Sequence, residues 1–231
     1  MTENILEVKN LNVSFNTERA LDNLSFNLKE KENLVVVGPN GAGKTVLLRA
    51  LLGIIPFKGE INWKKDVKIG YVPQKFLPDK TIPLTVEEFF KFKIRNAKKI
   101  SESLNLVGIK NKSILKKKIG EISSGQLQRI LIAWSLIDKP DILLFDEPTS
   151  GIDIEGEETI YNLLAHIEKE RDLTIILITH DLNVVYKFAN SVLCLNKKAI
   201  CYGSPQEALG PDSLNQLYGG EIKFYKHDHG H

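Results

Sequence analysis

The sequence predicts an α/β fold: a mixed, mostly parallel sheet core with an antiparallel β subdomain at its N-terminus and an inserted helical subdomain. Three observations carry that expectation. Apolar and polar residues alternate from Ile5 to Phe15 and again through Leu24, Phe26 and Leu28, the period of half-buried antiparallel strands. Four short unbroken apolar runs follow, Leu34–Val37, Ile142–Phe145, Thr174–Ile178 and Val192–Leu195, as parallel strands covered on both faces require. Between Thr85 and Lys118 the chain turns lysine-rich, with Val86, Phe89 and Phe90, then Ile100, Leu104 and Val107, at helical spacing, which reads as an inserted helical lobe.

Composition narrows the class. The chain has 231 residues and is 42% hydrophobic, enough to bury a core without disulfides. Its 31 lysines and arginines against 29 acidic residues leave a formal charge of +2, which gives no global case for nucleic-acid binding. The apolar runs fall far short of the roughly 20 residues that span a bilayer. Met1–Glu7 has no basic segment leading into an apolar one, so no secretory signal is expected and the chain is placed in the cytoplasm. The runs of lysine in the lobe, such as Lys116–Lys118, read as solvated helix faces, with a basic contact surface as the alternative.

Cys194 and Cys201 flank an expected two-residue turn at Asn196 and Lys197. That turn would put them on a cross-strand diagonal, roughly 7–8 Å apart at Cα and too far for a relaxed disulfide. Buried thiols are therefore expected. The tail carries His227, His229 and His231, which could hold a divalent metal loosely or form an unstructured end.

Gly38-Pro39-Asn40-Gly41-Ala42-Gly43-Lys44-Thr45 follows an apolar strand and opens a helical run, Val46–Leu52. This is the context of a phosphate-binding loop. Glycines let backbone N–H groups turn inward around phosphate oxygens, and the helix start adds unpaired donors. Lys44 is expected on the β- and γ-phosphates, and Thr45 offers a hydroxyl to Mg²⁺.

The run Ile142–Phe145 ends in Asp146 and Glu147, and ligands bind beyond the carboxyl ends of parallel strands. Asp146 is the Mg²⁺ candidate, acting through water, and Glu147 the general base. A pair of acids capping the next turn is the plainer reading of the same residues. His180 ends another expected parallel strand on the same rim and could reach the γ-phosphate, although a lone histidine there is often structural.

Ile122-Ser123-Ser124-Gly125-Gln126-Leu127-Gln128-Arg129 heads a helix whose apolar stripe is Leu127, Ile130, Leu131, Trp134 and Ile137, with Ser123 at its start. This segment resembles the signature of the ABC transporter ATPase family, and with the phosphate loop it extends the resemblance over nearly the whole chain. The resemblance implies one nucleotide-binding domain over 1–231, with a helical subdomain at about 85–140 and a short tail at 226–231. It implies ATP as substrate with Mg²⁺, and a second nucleotide-binding subunit, a homodimer partner, whose phosphate loop faces Ser123, Ser124, Gly125 and Gln126. It also makes Phe15 the aromatic stacked on adenine, Gln74 a catalytic and Mg²⁺-contacting glutamine, Asp153 an acid of the dimer loop and His180 a catalytic switch. Ser124 stands where the family usually has glycine, so its side chain would crowd the γ-phosphate or add a hydroxyl to it.

Within that family, Asp146–Asp153 and Val192–Asn196 are similar to the ATPases of zinc and manganese importers. The implied partners are an integral membrane permease and, indirectly, an extracytoplasmic metal-binding protein, with no nucleic acid. The chain would sit peripherally on the cytoplasmic face of the membrane. The alternatives are an ATPase of another importer or exporter, or a soluble ABC ATPase outside transport. The latter would usually carry two nucleotide domains or a long coiled-coil insertion. A scaffold without hydrolysis would lack Lys44 or Glu147, and both are present.

Overall fold

A computed structural model describes residues 3–74, 76, 81–148 and 154–219. Asp153 and the histidines of the tail lie outside them.

The N-terminal strands β1 (Asn4–Phe15) and β2 (Glu18–Lys29) form an antiparallel hairpin, and β4 (Lys58–Trp63) pairs on the other edge of β1. The second sheet has the order β5-β6-β7-β3-β8-β9, from β5 (Ile69–Val72), β6 (Ile142–Asp146), β7 (Thr174–Ile178), β3 (Asn33–Val37), β8 (Ser191–Asn196) and β9 (Lys198–Gly203). Its pairs are parallel except the final β8–β9 hairpin. β3, β6 and β7 are buried at every position, because this sheet is the middle layer.

The two-residue period of a strand divides those apolar runs between two cores. Leu34, Val36, Leu144, Ile176 and Leu193 face the antiparallel sheet and α1 (Lys44–Leu51). Val35, Val37, Phe145, Leu177 and Val192 face the helices on the other side. Those helices are α4 (Ser124–Leu136), α5 (Ile154–Arg171), α6 (Leu182–Phe188), and the short α7 (Pro205–Ala208) and α8 (Pro211–Tyr218).

The lobe between β5 and β6 begins with α2 (Val86–Lys91), where Thr85 accepts from the Glu88 N–H and Glu88 reaches back to the Thr85 N–H, a reciprocal cap. It continues through α3 (Ala97–Leu106) and two short 3₁₀ turns into α4. Ser123 caps α4 by accepting from the Gln126 N–H. The buried face of α4 differs from the expected stripe: Leu127 and Trp134 are half-buried, whereas Gln128, Ile132, Ala133, Ser135 and Leu136 are buried beside Ile130 and Leu131. α4 is wedged between the lobe and the sheet, so it has core on more than one side.

The hairpin β8–β9 corrects one expectation. Asn196 pairs with Lys198 around the single residue Lys197, which takes a left-handed φ of 59°. A bulge then leaves Ile200 unpaired between the Leu195–Ala199 and Cys194–Cys201 pairs. These two one-residue shifts carry Cys201 from the diagonal to a place directly opposite Cys194, with Cα atoms 4.8 Å apart, and the two are joined in a disulfide.

Among the described residues no helix is long and apolar enough to cross a membrane.

Candidate active site

The sheet reverses its order at β3, with β7 on one side and β8 on the other, and a crevice opens beyond the strand ends at such a point. The phosphate loop fills it. Gly43 takes a φ of 98°, and a Cβ there would meet the Ala20 carbonyl at 2.7 Å, so only glycine lets the loop lie so close to β2. A Cβ on Gly38 would collide with the Leu195 carbonyl at 2.0 Å, so the loop also presses on the β8–β9 hairpin. That hairpin's tip is bonded to it: the Lys197 N–H donates to the Ala42 carbonyl at 2.8 Å, and the Asp22 N–H donates to the Lys197 carbonyl.

The Lys44 ammonium donates to the Gly38 and Pro39 carbonyls at 2.8 and 3.0 Å and lies 3.7 Å from a Glu147 carboxylate oxygen. Gln74, just past β5, donates its amide to the other Glu147 oxygen at 2.6 Å. The Thr45 hydroxyl meets the Asp146 carboxylate at 3.2 Å. Asp146 is 2% exposed. Burial pushes its carboxyl above the ordinary range, an effect opposed by the Thr45 hydroxyl and reinforced by the neighbouring Glu147 charge.

Glu147 has a left-handed φ of 45°, costly for a residue with a long side chain, on the order of 1–3 kcal/mol. Its N–H is held by the Ile178 carbonyl at 3.2 Å, and its carboxylate by Gln74 and Lys44. The strand end is thus twisted so that consecutive acids diverge, Asp146 toward Thr45 and Glu147 into the cleft.

The cleft has a volume of about 370 Å³ and is lined by the loop from Asn40 to Val46, with Phe15, Gln74 and Glu147. Gly38, Pro39 and Asp146 are not part of that lining. Glu18, Ala20 and Lys197 line it too, and sequence reasoning did not single them out. Glu18 is paired across the hairpin from Phe15, so the Asn16–Thr17 turn was a usable signal. Lys197 reaches the cleft from the far end of the chain and ion-pairs with Glu18 at 3.0 Å, which no local pattern announces.

His180 follows β7, is exposed and does not line the cleft. Its neighbours are ordered: the Thr179 hydroxyl is 3.1 Å from the Tyr161 hydroxyl and accepts from the Asp181 N–H. Ser123, Ser124, Gly125 and Gln126 stand at the start of α4, also outside the cleft lining. No neighbouring atom lies within 4 Å of a Cβ built on Gly125, so this turn is open for approach.

A glycine loop on a central strand, a lysine inside it and a twisted Asp-Glu strand end define a P-loop ATPase. The family comparison agrees with that class. The model of the ABC transporter family matches residues 21–150, and the chain belongs to that family. It is 35% identical to the zinc import ATP-binding protein ZnuC of Pasteurella multocida over 98% of this chain and 88% of that protein. It is 37% identical to the protein of the same name from Wigglesworthia glossinidia brevipalpis, over 98% of this chain and all of that one. Among solved structures, cbiO1 from Clostridium perfringens, part of the ABC transporter complex cbiONQ, superposes with a TM-score of 0.77 at 27% identity, covering 93% of this chain and 94% of that one. The chain is an ATP-binding, ATP-hydrolysing transporter subunit, and that membership implies a membrane permease as partner and the pairing of nucleotide domains.

Proposed function

We propose that this chain hydrolyses ATP to drive zinc import through a separate membrane permease fed by an extracytoplasmic metal-binding protein, from a peripheral position on the cytoplasmic face. The observation that carries the substrate is near full-length similarity to two proteins named for zinc import. Manganese, expected alongside zinc from the sequence, has no such support.

In this reading Phe15 stacks on adenine while the loop from Gly38 to Thr45 wraps the phosphates. Lys44, now on loop carbonyls, turns its ammonium to the β- and γ-phosphates. Glu147, oriented by Gln74, accepts a proton from the water that attacks the γ-phosphorus, and ADP and phosphate are released. The hard oxygens of Thr45, Asp146 and Gln74 suit Mg²⁺, which would neutralise phosphate charge when bound.

Ser123, Ser124, Gly125 and Gln126 close on the nucleotide of a second, identical subunit, with Asp153 at that joint, while His180 acts as the switch toward the γ-phosphate held on its own rim. The permease docks on the helical lobe, on the groove lined by Ile82, Leu84, Glu88, Phe92 and Arg95. There Phe92 is 75% and Ile82 52% exposed, an apolar patch with charged rims.

The test is uptake of zinc and manganese by cells carrying the intact chain or Glu147→Gln, with permease and binding protein at constant levels. Collapse of zinc uptake supports the reading. Uptake of both metals unchanged, with ATPase activity of the purified variant reduced, removes metal import and leaves the hydrolytic assignment standing.

A further inference from the structure

The helical lobe holds a second basic cavity, far in sequence from the phosphate loop. Between residues 85 and 121 there are ten lysines and arginines against four acids, and three of those acids are engaged within the lobe. Glu87 pairs with Lys91 and Glu121 with Lys118, while Glu88 closes the cap of α2. The loop from α3 to the first 3₁₀ turn is pinned at three points. Lys112 donates to the Ser101 and Ile109 carbonyls and to the Asn105 side chain at 3.2, 3.0 and 2.6 Å. Arg129 of α4 donates to the Val107 carbonyl at 2.6 Å. Asn111 accepts from the Ser113 N–H at 2.9 Å.

This pinned loop and the first turns of α4 enclose a cavity of about 310 Å³. Lys110, Asn111, Ser113, Lys117, Gln126 and Arg129 line it, and no carboxylate does. Among the described residues neither Lys110 nor Lys117 makes an ion pair. Three cations around one cavity repel each other, and a fixed loop keeps them from dispersing, so the site gains most from an anion of more than one charge. A planar guanidinium with two point-charge ammonium groups suits phosphate oxygens.

We propose that this cavity binds a phosphate-bearing anion, and that α4 senses its occupancy through Gln126 and Arg129. The same helix carries the signature turn, so an anion here would bear on the turn that closes over the partner's nucleotide. The proposal stands apart from the zinc reading, since it concerns the lobe alone.

The ligand could be a soluble phosphate or a phospholipid headgroup, and two probes separate them. Pyrophosphate is titrated calorimetrically into the full chain already saturated with ADP, which occupies the phosphate loop. In parallel, the chain is sedimented with phosphatidylcholine vesicles with and without phosphatidylglycerol. Each is repeated with Lys110→Gln/Lys117→Gln and with Lys98→Gln/Lys99→Gln, a charge-matched pair on α3 outside the cavity. The expected result is binding of at least one probe, weakened roughly tenfold or more in the cavity variant and nearly unchanged in the α3 variant, with basal ATPase activity kept in both. Pyrophosphate binding alone identifies a soluble ligand, and vesicle binding alone a headgroup. Failure of the unmodified chain to bind either probe, or an equal loss in both variants, overturns the proposal.

Discussion

In the nucleotide cleft Lys44 is held by two loop carbonyls and lies beside Glu147, Glu147 by Gln74, and Asp146 by Thr45. In the helical lobe Lys110 and Lys117 stand around a cavity without a carboxylate, and the open turn at Ser124 and Gly125 contacts nothing in the cleft. On the readings proposed above, both regions meet phosphate. The cleft is completed within one chain because buried parallel strands deliver its groups to one crevice. The lobe presents groups whose proposed counterparts come from elsewhere, the nucleotide of a second subunit for the signature and an anion for the basic cavity.

The largest effect separating the two regions is expected from Glu147→Gln. Loss of the base should lower ATP turnover by about a hundredfold to ten-thousandfold with nucleotide still bound, read by single-turnover hydrolysis beside a binding titration. A matching loss of binding would show that Glu147 holds the loop rather than the water. Next, Phe15→Ala should weaken nucleotide affinity roughly tenfold to a hundredfold, the scale of base–aromatic stacking. Phe15 is 48% exposed, so the variant's melting temperature should stay near that of the unmodified chain.

Asp146→Asn sharpens the comparison through its sign. The folded-state pKa of Asp146 is raised, with burial the first cause, so its contribution to stability is fully present below the unfolded value and is lost as pH rises through the folded one. At neutral pH the neutral amide should therefore raise the melting temperature while hydrolysis falls, and the stability gain should vanish in acid. A variant that melts lower at neutral pH would mean that the carboxylate's contact with Thr45 outweighs its burial. The smallest effect belongs to the lobe: Ser123→Ala removes the cap of α4 and should cost about 1 kcal/mol, seen as faster amide exchange confined to the first turn.

Much of the layered core was legible in the sequence, because buried strands write themselves as short apolar runs. The runs at Leu34, Ile142, Thr174 and Val192 became β3, β6, β7 and β8. The loop from Gly38 to Thr45 was legible for the same reason, since strand, glycines and helix are contiguous. What stayed hidden depends on register or on distance along the chain. The unpaired Ile200 bulge, which sets Cys201 opposite Cys194, adds one residue that no hydrophobic period records. Lys197 enters the cleft because the last hairpin leans on the loop, a tertiary contact between residues far apart in sequence. The lysines of the lobe, such as Lys116–Lys118, read as solvated faces, and nothing in their local pattern records that Lys112 and Arg129 pin the neighbouring loop.

The most direct test of a site divided between two regions and two subunits is the mass of the Glu147→Gln chain in solution with ATP. Hydrolysis is blocked there, so the account predicts that two copies of the 26.0 kDa chain associate when ATP is added and separate when it is replaced by ADP. It further predicts that Ser124→Trp, placed in the open signature turn, abolishes the association while leaving ATP binding intact. A chain that remains monomeric with ATP bound, or a dimer indifferent to Ser124→Trp, would contradict it.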